Sequence, residues 1–228
     1  MSTVRLLVCI ALALPCGSII AKLSASFITD RPMFQSANLP RVPQRTVVIT
    51  VLTLIVFVLV CLRFSDAPWL EFFAYLLGFS AVLLASVVDL TEYRLPDVIV
   101  IPSIAGGAVL VVVVSIIEGA SSRIPYAFVG ALLAFGVLLV AHVLSPEGMG
   151  FGDVKFAALL GLLVGWQAST YLDVLILVLW LFLIGFAVGT VGGIVLLILR
   201  GRNQSFPFGP FLAVGTLLAV VLSQSLVG

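Results

Sequence analysis

Charge is scarce in this chain. Only 9% of its 228 residues are Asp, Glu, Lys or Arg, against 62% hydrophobic residues and a mean hydropathy of +1.33. A soluble domain carries about 25% charged residues, so the composition excludes a water-soluble globular fold and points to an integral membrane protein embedded in a lipid bilayer. Histidine occurs once, at His142, which excludes a multi-histidine metal site. The three cysteines, Cys9, Cys16 and Cys61, lie inside apolar runs with no CxxC pairing. That spacing supports neither a disulfide framework nor a zinc module, and reads as small core residues. A net charge of +1 argues for neither a nucleic acid nor a strongly anionic partner. A long polar insert and an internal repeat are both lacking, so residues 1–228 read as one membrane-embedded domain.

What is present is a series of apolar runs at about 4–28, 47–64, 69–89, 98–117, 125–144, 154–168, 171–199 and 208–227. A membrane helix needs roughly 20 apolar residues, so the expectation is an all-α, polytopic membrane protein with about eight transmembrane helices. The first run follows Arg5 but continues well past the length of a signal-peptide core, and reads as the first membrane helix. The sixth is short, and the seventh is long enough to tilt. With the amino terminus outside, the cytoplasmic side would hold Lys22, Arg31, Arg41, Arg45, Arg94, Lys155, Arg200 and Arg202. The other side would hold only Arg5, Arg63 and Arg123, and this bias sets the expected orientation. A short loop at 29–46, with three prolines and three arginines, then also faces the cytoplasm.

Against this background two acids stand out. Asp89 closes the third apolar run, and Asp153 ends the glycine-rich stretch Gly148-Met149-Gly150-Phe151-Gly152. Ionisable groups at the edge of a hydrocarbon span are expensive, and a functional role is their default reading. In the segment Asp89-Leu90-Thr91-Glu92-Tyr93-Arg94-Leu95-Pro96-Asp97, Pro96 marks a helix boundary at Leu95. Asp97 then sits where an N-cap of the fourth helix belongs. Asp89 ends a helix, where the dipole disfavours an anion; its bland alternative is an acid reaching the headgroups. The alternate glycines, Gly148, Gly150 and Gly152, allow a sharp bend and close approach to another chain. Asp153 starts the sixth helix, where the dipole favours an anion, and taken alone is as consistent with a simple cap as with catalysis.

Together the two acids say more. Environments that separate the proton affinities of two carboxylates assign acid and base roles. A water between Asp89 and Asp153 could then attack a scissile carbonyl, with one aspartate taking its proton and the other protonating the carbonyl oxygen. This chemistry requires no metal, cofactor or covalent nucleophile. A proton-coupled transporter could use the same carboxylates as a relay, although transporters place such acids near the midplane on interrupted helices, often in repeated halves. A catalytically silent scaffold is the third reading, and the paired aspartates argue against it.

The chain resembles the prepilin leader peptidases, membrane aspartic proteases of the GxGD type. The matching residues are Val88-Asp89-Leu90 with Leu95-Pro96-Asp97, then Gly150-Phe151-Gly152-Asp153-Val154-Lys155, then Pro207-Phe208-Gly209-Pro210-Phe211-Leu212-Ala213. Their order, spacing and helix layout agree across roughly residues 70–215. The resemblance implies a catalytic pair of Asp89 and Asp153, with Gly150, Gly152, Lys155, Pro96, Asp97, Gly209 and Pro210 in support. It implies cleavage of type IV prepilin or pseudopilin precursors at the cytoplasmic face of the bacterial inner membrane. Family substrates are cut after a glycine, between a basic leader and a hydrophobic helix. Many members carry a cysteine-rich zinc domain after the first helix and also methylate the new amino terminus. Gly17-Ser18 and Arg31-Pro32 match the start of that region, but the cysteine module is missing and the loop at 29–46 is too short to hold it. A peptidase without a zinc site is expected, similar to members serving Flp/Tad-type or minimal pilus systems, with methyl transfer left open.

The remaining polar residues read as follows. Glu92 is a solvated loop acid, Lys155 either tunes Asp153 or snorkels to headgroups, and His142 is an interfacial or packing residue. Glu147 is a candidate contact for the basic leader. Gly209-Pro210 shapes the entry to the last helix, and Gly185, Gly189, Gly192 and Gly193 suit close packing of the seventh.

Overall fold

The computed structural model describes residues 3–27, 42–146, 149–200 and 207–227, and in these every regular element is a helix. The chain runs α1 (Thr3–Ser26), α2 (Val42–Arg63), α3 (Trp69–Glu92), α4 (Asp97–Ile117), α5 (Arg123–Leu144), α6 (Phe151–Gly165), α7 (Tyr171–Arg200), α8 (Gly209–Val221) and the short α9 (Ser223–Val227). Six of them, α1 to α5 and α7, are long and apolar enough to cross a bilayer. The protein is therefore an all-α, polytopic membrane protein, as its composition requires.

Each of the eight apolar runs becomes a helix, but two fall short of a full crossing. At 1.5 Å per residue, the 15 residues of α6 span about 22 Å and the 13 of α8 about 20 Å, against a hydrocarbon core of about 30 Å. The last run breaks at Leu222, where α8 gives way to α9. α2 starts at Val42, before the apolar run, because its polar first turn is held by Arg45 donating to Ser24 Oγ on α1 at 3.2 Å. The expected loop at 29–46 lies outside the described residues as far as residue 41, as do Glu147 and Gly148.

α6 is the centre of the molecule. It packs against α3, α4, α5, α7 and α8, and buries Val154, Phe156, Ala157 and every residue from Leu159 to Gly165. A helix apolar on all sides belongs inside a bundle rather than against lipid. Its tightest seam is with α5, where a Cβ on Gly161 would lie 2.2 Å from the Gly130 carbonyl oxygen and 2.6 Å from Ala134 Cβ. Only glycine admits such backbone contact, which replaces a hydrophobic driving force that lipid cannot supply. The glycines of α7 serve a similar seam: Gly185, Gly189 and Gly192 face Phe211 of α8, with Leu212 and Phe208 alongside.

One end of the bundle is closed by a polar network. Arg123 Nη2 pairs with Glu71 Oε1 at 2.7 Å while its Nε donates to the Trp166 carbonyl at 2.8 Å. Arg63 donates to Gln167 Oε1 at 2.7 Å and to Ser223 Oγ at 3.1 Å. Gln167 donates to the Tyr75 hydroxyl, which donates to the Leu163 carbonyl at 3.0 Å. Tyr75 is stacked between Phe64 and Trp166, and Arg5 donates to the carbonyls of Phe64 and Ala67. All three arginines expected on the non-cytoplasmic side thus gather at one end. Asp89 and Asp153 stand at the other, because α3 begins near Glu71 and ends beyond Asp89, while α6 begins near Asp153 and ends at Trp166.

Candidate active site

Four helix termini converge around the two aspartates. Asp89 lies in the last turn of α3 and is buried, at 4% exposure. The helix stops at Tyr93, whose backbone turns left-handed (φ 53°) while its N–H closes on the Asp89 carbonyl at 2.8 Å. A left-handed non-glycine residue costs roughly 1–2 kcal/mol, and here it reverses the chain within the three residues Tyr93, Arg94 and Leu95. Pro96 then precedes α4, as its restriction on Leu95 predicts.

Asp153 occupies the third residue of α6, after Phe151 and Gly152, with Gly150 in extended conformation before the helix. Its backbone N–H bonds to the Gly150 carbonyl at 3.1 Å. The side chain is half-buried, and the charge of Asp89 acts directly on it. Among the described residues, Asp153 Oδ1 is the buried side-chain oxygen left without a hydrogen-bond partner. A buried unpaired carboxylate oxygen is costly unless something else meets it.

The support of Asp89 comes from a place sequence reasoning assigned only a shaping role. The Gly209 N–H, the first of α8, donates to Asp89 Oδ2 at 2.9 Å across a separation of 120 residues. A Cβ at Gly209 would lie 2.9 Å from that same oxygen. Only glycine lets the backbone come this near. Pro210 follows within the first turn, where its missing N–H leaves no helical bond broken. Asp89 therefore sits between the negative end of α3 and the positive end of α8, whereas reasoning from α3 alone counted only the first.

Leu95 joins the two halves. It is buried, its Cβ lies 2.9 Å from where a Gly152 Cβ would stand, and its Cδ1 lies 3.5 Å from the corresponding point on Gly209. Gly152 is thus required for close approach to the α3–α4 turn. Among the described residues only Tyr93 and Gly119 have positive φ, so neither Gly150 nor Gly152 serves the chain by left-handed bending.

Two expectations need correction. Asp97 does not cap α4: Pro96 holds the cap position without a side-chain bond, and Asp97 is the first helical residue. Its carboxylate instead takes Lys155 Nζ at 2.7 and 2.8 Å. Lys155 accordingly gives its ammonium to Asp97 and makes no hydrogen bond to Asp153, since residues two apart on a helix point to different sides. The lysine also lies over the Phe151 ring at 5.0 Å, and that ring is 5.5 Å from His142. His142 Nδ1 bonds to the Met149 carbonyl at 2.8 Å, so the packing residue anticipated there tethers the glycine-rich segment. Glu92 ends α3 within electrostatic reach of Arg45.

Residues 76–197 match the type IV leader peptidase family, a stretch that includes both aspartates. The chain belongs to that family. Proteins named prepilin leader peptidase/N-methyltransferase are similar to it over most of its length. The one from Aeromonas salmonicida is 31% identical over 185 residues, covering 78% of this chain and 58% of the relative. Those from Pseudomonas putida (35% over 150 residues) and Escherichia coli K12 (31% over 150) cover 62% and 64% of this chain, and 46% and 61% of themselves. The chain thus spans about half the length of the curated relatives it matches. No solved structure matches it significantly. The three segments that carried the sequence resemblance, around Asp89, Asp153 and Gly209, converge at this site, and the first two lie within the matched residues.

Proposed function

We propose that this protein is a membrane aspartic endopeptidase that removes the leader from type IV prepilin or pseudopilin precursors. The observation that carries the reading is the facing pair itself: Asp89, held by the α8 N-terminus, and Asp153, with one buried oxygen unpartnered beside it. Family membership and the names of the similar proteins support the substrate class.

The different settings of the two acids support a division of roles. Two carboxylates that interact electrostatically can share a proton. Asp89 accepts an N–H from a positive helix end, which favours its anion; Asp153 has the unsatisfied oxygen, which favours the acid. Asp89 is then the base that takes a proton from water as its oxygen bonds to the scissile carbonyl carbon. Asp153 gives its proton to the carbonyl oxygen. Collapse of the tetrahedral intermediate breaks the C–N bond: the departing amine takes the proton from Asp89, and one hydroxyl of the diol returns its proton to Asp153 as the new carboxyl group forms. This reverses the assignment expected from each acid's own helix end. The substrate is extended at the cut, between a basic leader and an apolar helix lying in the bilayer. The distribution of lysine and arginine along the sequence, eight against three, supports a cytoplasmic active site in the bacterial inner membrane.

Both acids stand in terminal turns of uninterrupted helices rather than at broken helices near the midplane, which disfavours a proton-coupled transporter. The test is co-expression with a prepilin precursor and measurement of the precursor's amino-terminal mass. Cleavage just before the hydrophobic helix is expected, and the same spectrum reports any added methyl group. An unprocessed precursor beside abundant membrane-inserted protein would contradict the proposal.

A further inference from the structure

The ion pair between Asp97 and Lys155 has no place in the proposed chemistry, yet it lies against the residues that have. Lys155 is two residues beyond Asp153 in α6, and Asp97 is two residues beyond Leu95 at the start of α4. The pair is bidentate, with Nζ 2.7 Å from Oδ1 and 2.8 Å from Oδ2. It is also partly open to its surroundings, with side-chain exposures of 25% for Lys155 and 56% for Asp97. Exposed ion pairs contribute little to stability. Holding the fold together is therefore not what this one does best.

Its position says more. It is the polar clasp across the same α4–α6 approach that Leu95 and Gly152 make from the buried side, where no Cβ fits between the two backbones. Leu95 in turn abuts Gly209, whose N–H holds Asp89. Sliding α6 along α4 would move Asp153 away from Asp89, and the ion pair is the directional contact that resists it. On the far side of Lys155, the Phe151 ring and the bond from His142 to Met149 fix the segment leading into Asp153.

We propose that Asp97 and Lys155 are positioning residues, whose ion pair fixes the first turn of α6 against the start of α4 and so sets where Asp153 stands relative to Asp89. This rests on the reading of those two aspartates as the catalytic pair. A displacement of about 1 Å in a reacting group costs up to about a hundredfold in rate, so the signature is a loss of turnover out of proportion to any loss of stability.

The test uses full-length protein purified in detergent, with a synthetic prepilin peptide spanning the cut, and compares Asp97→Lys, Lys155→Asp and the double swap Asp97→Lys/Lys155→Asp. Each single reversal should lower kcat by about ten- to a hundredfold with KM within about twofold of wild type and an unchanged melting midpoint. The double swap, which restores a pair of opposite sign order, should recover kcat to within about threefold. Asp97→Asn and Lys155→Gln provide a milder pair should a reversal fail to accumulate, with smaller losses of the same kind expected. Wild-type kcat in the single variants, or losses that the swap leaves uncorrected, would overturn the proposal. Asp153→Asn is run alongside: activity in that variant would overturn the catalytic reading itself, whereas an inactive Asp153→Asn beside fully active ion-pair variants would overturn only the positioning role.

Discussion

Replacing Gly209 with alanine adds one methyl group at the point where α8 meets Asp89. That carbon would stand 2.9 Å from Asp89 Oδ2 and 3.4 Å from its Cγ, with Leu95 Cδ1 at 3.5 Å closing the other side. The carboxylate must withdraw by a few tenths of an ångström, and the Gly209 N–H bond to it, now 2.9 Å, lengthens or breaks. A hydrogen bond to a charged acceptor is worth about 1.5–3 kcal/mol, and each 1.36 kcal/mol is tenfold in rate. Peptide cleavage by Gly209→Ala should therefore fall about ten- to a hundredfold, mostly in kcat. Steady-state cleavage of a prepilin peptide in detergent measures it. Gly106→Ala is the control, because a methyl group there meets nothing within 4 Å; it should leave cleavage unchanged and, as a helical Gly→Ala change, stabilise by up to about 1 kcal/mol. Wild-type kcat in Gly209→Ala would refute the claim that this N–H supports the base.

The other predictions concern the scaffold. Gly161→Ala places a methyl group 2.2 Å from the Gly130 carbonyl oxygen, backbone that cannot swing aside, so α5 and α6 must separate. A loss of about 3 kcal/mol is expected, read as a lowered thermal midpoint and poor membrane accumulation; an unchanged midpoint would contradict the seam. Arg123→Met leaves Glu71, with a side chain only 8% exposed, without its partner and should destabilise by about 3 kcal/mol, the low end for a buried pair because Arg123 is 24% exposed. Removing both charges in Glu71→Gln/Arg123→Met should recover part of that loss. Glu71 lies about 27 Å from Asp89 along α3, so the kcat of the protein that remains folded should not change.

How much of this was visible in the chain depended on distance along it. Asp89 and Asp153 were legible because a charge at the end of an apolar run has few innocent explanations, and because the GxGD segment keeps its meaning within six residues. Arrangements that depend on tertiary register were not. Asp97 and Lys155 are 58 residues apart, and a proline before an aspartate is an equally good signal for a cap. The bond from Gly209 crosses 120 residues, and nothing local to Gly209-Pro210 distinguishes a helix entry from a carboxylate support. Helix number was legible, and so was the shortness of the sixth run, but α8 lies inside an apolar run at 208–227 and only the break at Leu222 shows that it falls short of a crossing. Arg5, Arg63 and Arg123 read as flanking charges that orient the protein, and the fold turns them into the hydrogen-bonded closure of one end.

The central claim is that Asp89 and Asp153 together activate water. Its most direct test is cleavage of a purified prepilin peptide by Asp89→Asn and Asp153→Asn, each shown to be folded by its melting midpoint and elution profile. The account predicts that both variants bind the peptide and that neither cleaves it above the uncatalysed background. Turnover near the wild-type rate in either variant would contradict it.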